Sequence, residues 1–192
     1  MIRRPLIVFA AFVFSLIVSF ALVSWWTGSG RVTQAVIGGP FTLVNQEGKS
    51  VTQDILRGKV TLMFFGFTHC PDICPTALFE ISEIMRALGK DADKTAALFV
   101  TVDPERDTPA VMKNYISSFD PHIGALSGDA EAIARMLKAY RVYAKKVPLK
   151  GDDYTMDHSA AVYLMDRNGT FVSTFNIKRS AADAAADLRR YF

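Results

Sequence analysis

Cysteine and histidine are scarce in this chain of 192 residues: there are two of the first and three of the second. No run of lysine or arginine breaks the sequence, and 22 basic residues face 19 acidic ones. That near balance argues against a nucleic-acid partner, which needs a basic face. No internal repeat and no low-complexity stretch interrupts residues 39–192, so one domain is the simplest organisation there. The scarcity also concentrates the chemistry. Any thiol reaction must run through Cys70 and Cys74, and any imidazole through His69, His122 or His158.

What the first 30 residues do have is a long apolar run. Arg3, Arg4 and Pro5 precede residues 6–26, which carry no charge. That length matches the roughly 20 residues of a membrane-spanning helix. Trp25 and Trp26 close it where an interfacial anchor belongs. A cleaved signal peptide has a shorter apolar stretch, of about 7–15 residues, followed by small residues. The segment therefore reads as an uncleaved signal anchor over 1–27, followed by a linker over 28–38. By the positive-inside rule the N-terminus stays in the cytoplasm and the rest lies outside it. With no Arg/Ser-rich presequence, a bacterial inner membrane with the domain in the periplasm is the expected place, and disulfides persist there.

In the domain, residues 41–44 followed by Asn45-Gln46-Glu47-Gly48 predict a strand and turn. The apolar run 59–67 predicts a strand buried on both faces. Pro75 suits the first position of a helix with Cys74 as its N-cap, because residues before proline avoid helical angles. Leu78, Ile81, Ile84, Met85 and Leu88 then repeat at helical spacing up to Gly89. Further along, residues 97–102 predict a buried strand and Thr108-Pro109 opens a helix. A short strand at 123–126, a helix at 130–140, a hairpin of 160–165 with 170–175 and a helix at 180–191 complete the pattern. This order implies a thioredoxin-like α/β sandwich with a central mixed sheet.

Cys70 and Cys74 sit four apart in Phe-Thr-His-Cys-Pro-Asp-Ile-Cys-Pro, after the apolar strand and before a helix. A helix N-terminus favours a thiolate. Three intervening residues make the loop wider than a thioredoxin motif, so it can close as a disulfide or admit an ion between its sulfurs. A third ligand is then wanted. His69 points away from its neighbour at a strand end, and His122 reads as an ordinary loop residue. His158 directly precedes the strand at 160–165. If that strand neighbours residues 59–67, His158 arrives beside Cys70. Two sulfurs and an imidazole suit Cu(I), and retain Cu(II) with a further weak ligand.

The segments VTLMFFGFTHCPDICPTAL, VTVDPERDTP, LKAYRVYAKKV and YTMDHSAAVYLMDRNG resemble the Sco/SenC family, from about residue 39 to residue 192. The resemblance implies a membrane-anchored copper protein of the thioredoxin superfamily that serves cytochrome c oxidase assembly. It implies that Cys70, Cys74 and His158 ligate copper. The implied partner is the CuA site of oxidase subunit II, which receives copper or has its cysteines reduced, alongside other copper chaperones or thiol reductants.

Other readings compete. The cysteines could form a purely structural disulfide, although a loop so short removes little unfolded-state entropy. Asp157 and Asp103 could tune the site or merely shape turns, and Met156 reads as a hydrophobic loop residue before a soft ligand. At the level of function the alternatives are a periplasmic thiol–disulfide reductase using Cys70 and Cys74 as a redox-active disulfide, and a copper or redox sensor.

Overall fold

The computed structural model describes residues 3–28 and 37–192, which divide into two units between residues 36 and 37. The first is a single helix, α1 (Arg3–Gly28). Its side chains are described only at 9 and 12–25. Among the described residues no helix is long and apolar enough to cross a membrane. The expected linker falls largely on residues 29–36, which lie outside the described ones.

The second unit is an α/β sandwich. Its strands β1 (Thr42–Asn45), β2 (Ser50–Thr52), β3 (Val60–Gly66), β4 (Thr95–Thr101), β5 (Ile123–Ser127), β8 (Val162–Met165) and β9 (Phe171–Phe175) form one seven-stranded sheet, ordered β2-β1-β5-β4-β3-β8-β9. The three central strands β5, β4 and β3 run parallel, while β8 and β9 join as an antiparallel hairpin. Every residue of β3 is buried, as the uninterrupted apolar run requires of a strand covered on both faces.

Helix α2 (Ile73–Leu88) lays Leu78, Ile81, Ile84, Met85 and Leu88 into the core and stops at Gly89, whose φ of +58° suits glycine. Its start corrects the expectation from sequence. The N-cap is Asp72, not Cys74, and Cys74 and Pro75 lie inside the first turn. Proline is tolerated there because the first four N–H groups have no intrahelical partner anyway. The Thr76 amide still closes the turn onto the Asp72 carbonyl at 3.1 Å.

Helices α3 (Pro109–Ile116), α4 (Ala130–Ala139) and α5 (Ala181–Leu188) are capped by Thr108, Asp129 and Ser180, each accepting a backbone N–H. Residues 144–158 hold a second, two-stranded sheet that the sequence pattern did not announce: β6 (Ala144–Pro148) and β7 (Tyr154–His158). Strand β6 alternates poorly and carries Lys145 and Lys146, so no buried face marks it. The strand β2 is equally unmarked, being three residues long with no buried position.

Two consequences of this topology fix the site. Strand β8 runs antiparallel to β3, pairing Phe64 with Val162. The chain therefore enters β8 at the carboxyl end of β3, the end at which the Cys70 loop begins. Strand β7 finishes just before that entry, so its last residue, His158, is delivered to the same end.

Candidate metal centre

The loop between β3 and α2 is held from below by a buried carboxylate. Asp107 is fully buried and accepts the Thr68 amide at 3.1 Å, the Thr68 hydroxyl at 2.5 Å and the Thr101 hydroxyl at 2.7 Å. Those bonds satisfy its lone pairs and anchor the stem of the cysteine loop to the end of β4. The Cys70 amide then donates to the Phe67 carbonyl at 3.3 Å, turning the chain back. This places the Cys70 Sγ to accept the Cys74 amide at 3.4 Å. Cys70 is half-buried and Cys74 has no exposure at all.

His158 meets this loop from the other side. Its Nε2 lies 3.8 Å from Cys74 Sγ, and its ring stands edge-on to Phe67 with centroids 5.7 Å apart. The Nδ1 sits 3.0 Å from the Ser159 carbonyl oxygen. A carbonyl can only accept, so Nδ1 carries a proton, and in the neutral tautomer this selects, Nε2 presents a lone pair toward the sulfur. Ser159 is itself fixed, its amide donating to the Tyr143 carbonyl at 3.0 Å and its hydroxyl accepting the Tyr143 amide at 3.2 Å. The small sheet thus serves as the frame that aims the imidazole.

That frame is clamped to the main sheet by Arg106. Its guanidinium pairs with buried Asp103 at 2.5 Å, lies 3.7 Å from the Tyr154 ring centroid and donates to the Tyr154 carbonyl at 3.0 Å. Tyr154 in turn donates its hydroxyl to Asp103 at 2.9 Å. Lys146 stacks on the same ring, 4.0 Å away. Asp103 is therefore a structural member of the hairpin clamp, occupied by Arg106 and Tyr154.

The sequence placed Cys70, Cys74 and His158 at one sheet edge, and the structure brings Cys74 and His158 into contact with Cys70 on the adjoining amide. Among the described residues no three His, Cys, Asp or Glu side chains are gathered as a ready-made metal cluster. Asp157 is exposed and makes no side-chain hydrogen bond among the described residues; it lies on the opposite face of β7 from His158. Met156 packs partly buried against the core. His69 is exposed and meets only the Thr68 hydroxyl, and His122 pairs with Asp120 and Asp93 elsewhere.

The thiolate expectation is corrected for Cys74. Burial pushes its thiol far above the ordinary value, outweighing the Phe67 backbone, which lowers it, and the nearby Cys70 and Asp107 add to the rise. Desolvation of a buried sulfur overrides the partial charge of the helix terminus. A cation bound here must displace that proton, so its affinity increases with pH.

Two further residues escaped the sequence reading. Gly66 ends β3, and a Cβ there would lie 2.7 Å from Cys74 Sγ and 2.8 Å from a Phe99 ring carbon. A glycine inside a run of bulky strand residues was the available signal for such a close approach. Asp107 stood four residues after Asp103 in Asp-Pro-Glu-Arg-Asp, and nothing in the pattern distinguished the buried carboxylate from the clamped one.

The donor chemistry is selective. The two buried carboxylates, Asp103 and Asp107, are engaged by protein donors, so the buried donors left are two sulfurs and an imidazole nitrogen. This is a soft set, fitting copper and unsuited to magnesium or calcium.

The chain resembles known proteins over this whole unit. It is 67% identical to the structure of Bradyrhizobium japonicum ScoI with copper bound, covering 81% of this chain and 99% of that one, with a TM-score of 0.79. A protein called BsSco, described as a member of the Sco family of cytochrome c oxidase assembly proteins and as having a disulfide switch, is 25% identical, with a TM-score of 0.64 over 83% of this chain and 95% of its own. A SCO2-like protein of Rickettsia prowazekii is 42% identical over 149 residues, 77% of this chain and 73% of its length. The family model for SCO1/SenC matches residues 30–192. The fold is thioredoxin-like, and the chain belongs to the SCO1/SenC family.

Proposed function

We propose that this protein binds copper through Cys70, Cys74 and His158 and supplies it to the CuA centre of cytochrome c oxidase subunit II. Copper is cargo in this reading. One observation carries it: His158, its Nδ1 held by the Ser159 carbonyl, turns Nε2 toward Cys74 Sγ at 3.8 Å. A histidine serving only to pack has no need of a free nitrogen aimed at a buried sulfur. The copper-bound ScoI structure and the oxidase-assembly family of BsSco support the reading.

The apolar residues 6–26, within α1, would anchor the protein in the bacterial inner membrane, with residues 39–192 as the copper domain in the periplasm. The test of the ligand set is copper titration of the reduced protein. Cys70→Ala, Cys74→Ala and His158→Ala should each weaken copper binding, and unchanged affinity in all three would sink the proposal.

A second reading has its own observation. The Cys74 amide donates to Cys70 Sγ at 3.4 Å, which holds the two cysteines side by side at a helix start, as a redox pair requires. In a thiol–disulfide reductase that uses Cys70 and Cys74, His158→Ala would leave reduction of the CuA cysteines intact. Copper supplementation of a deletion strain separates the two: rescue of oxidase activity favours delivery, and no rescue favours reduction.

A further inference from the structure

Tyr115 lies on α3 and packs against the core, its ring tilted on Phe99 of β4 with centroids 5.6 Å apart and on Phe119 at 5.7 Å. Its hydroxyl is buried and, among the described residues, has no hydrogen-bond partner. An unpaired buried donor destabilises a fold, and phenylalanine would pack the same ring without one. The surroundings of that hydroxyl are not neutral. Burial pushes the phenol above its ordinary pKa, and Cys74, Cys70 and Asp107 add to the rise in that order. The phenol therefore keeps its proton and is available as a donor. The packing agrees. A carbon added at Gly66 would lie 2.7 Å from Cys74 Sγ and 2.8 Å from the Phe99 ring, so the ring beneath Tyr115 flanks the same point as the sulfur.

We propose that Tyr115 is a positioning residue of the metal centre, its hydroxyl donating to the Cys74 sulfur when that sulfur ligates copper. This rests on the function proposed above. Two other acceptors are near, and both are already served. Asp107 takes the Thr68 and Thr101 hydroxyls, one on each oxygen. Cys70 Sγ takes the Cys74 amide, and its half-buried position also reaches solvent. Cys74 has no exposure, so protein donors alone must meet the charge its sulfur carries when bound to a cation. The Phe67 backbone is one such donor, and the Tyr115 hydroxyl is the second. His158 cannot take this part, because its Nε2 is the nitrogen that ligates. Hydrogen bonds to a ligating sulfur tune both affinity and redox potential.

Tyr115→Phe in the full chain, in detergent micelles, tests this. Tyr163→Phe is the control, removing the hydroxyl of a buried β8 tyrosine whose pKa is raised by burial alone. In reduced, copper-free Tyr115→Phe the urea midpoint should equal or exceed the parent's, because an unpaired buried hydroxyl is gone. Copper affinity, read by competition with a chelator, should fall about tenfold. The sulfur-to-copper charge-transfer absorption of the Cu(II)-loaded protein should shift. Tyr163→Phe should change neither affinity nor absorption. Parent-like affinity or an unmoved absorption in Tyr115→Phe overturns the hydrogen bond while leaving the three ligands standing. A copper-free midpoint below the parent's overturns it as well, by assigning Tyr115 to packing. If the parent itself takes up no copper, the ligand set falls, and the role of Tyr115 falls with it.

Discussion

Replacing Gly66 by alanine adds one methyl group at the most crowded point of the site. The new carbon would fall 2.7 Å from Cys74 Sγ, 2.8 Å from Phe99 Cε2 and 3.3 Å from Phe64 Cε1. Carbon atoms pack at about 3.5–4.0 Å, so something must move. The two rings cannot easily give way, being fully buried and stacked on each other at 6.0 Å. Cys74 is the freer party, because its thiol is held by long contacts such as that to His158 at 3.8 Å rather than by ring packing. Gly66→Ala should therefore turn Cys74 away from His158 or lift the first turn of α2. Overpacking of this kind costs about 1–3 kcal/mol of stability. If a similar energy is lost from the bound state, copper affinity falls by about 5- to 150-fold, at about 1.4 kcal/mol per factor of ten. Urea unfolding with and without copper, together with competition against a copper chelator, reads both effects. Gly124→Ala in β5 is the control. Its added carbon would meet nothing closer than 3.4 Å, so stability and affinity should hold. A Gly66→Ala protein with parental stability and copper affinity would refute the packing argument.

Asp107→Asn keeps the shape but turns one acceptor oxygen into a donor amide facing Thr68 and Thr101. It should cost about 1–3 kcal/mol in urea unfolding, the range for an unsatisfied buried group. Arg106→Leu strips buried Asp103 of its ion pair. A loss of about 3 kcal/mol is expected, and hydrogen exchange should quicken in β6 and β7 before it does in β3. His122 supplies a pH test away from the site. Its hydrogen bond to Asp120, with a smaller contribution from Asp93, raises its pKa above the usual histidine value, while partial burial opposes this. Because the folded pKa lies above the unfolded one, the stabilisation is complete below about pH 6.5 and is lost as pH rises through the raised value. His122→Gln should flatten that part of the stability profile, as measured by denaturant midpoints from pH 5.5 to 8.5.

The buried strand β3, the helix face from Leu78 to Leu88 and the hairpin of β8 with β9 were legible because one apolar periodicity dominates each. Cys70, Cys74 and His158 were legible because the chain has so few sulfurs and imidazoles, and because their motifs resemble a family. What escaped shares a different character. The β6–β7 sheet is held by Arg106 and Lys146 on Tyr154, contacts that leave no hydrophobic pattern. The start of α2 shifted by two residues because a first-turn proline is compatible with either register. The high pKa of Cys74 follows from tertiary burial, which local sequence does not encode.

His158 meets Cys74 across a separation of 84 residues. The sheet order makes this unavoidable, since β8 is the strand that brings the histidine to β3. At about 5–20 residues per second of synthesis, the cysteines exist as chain roughly 4 to 17 s before the imidazole does. In that interval the two thiols exist without the imidazole that faces them in the finished fold. The order of appearance along the chain thus sets a chronology: the two sulfurs are synthesised first, and the nitrogen that faces them follows only after the segments of β4 and β5, Arg106 and Tyr154.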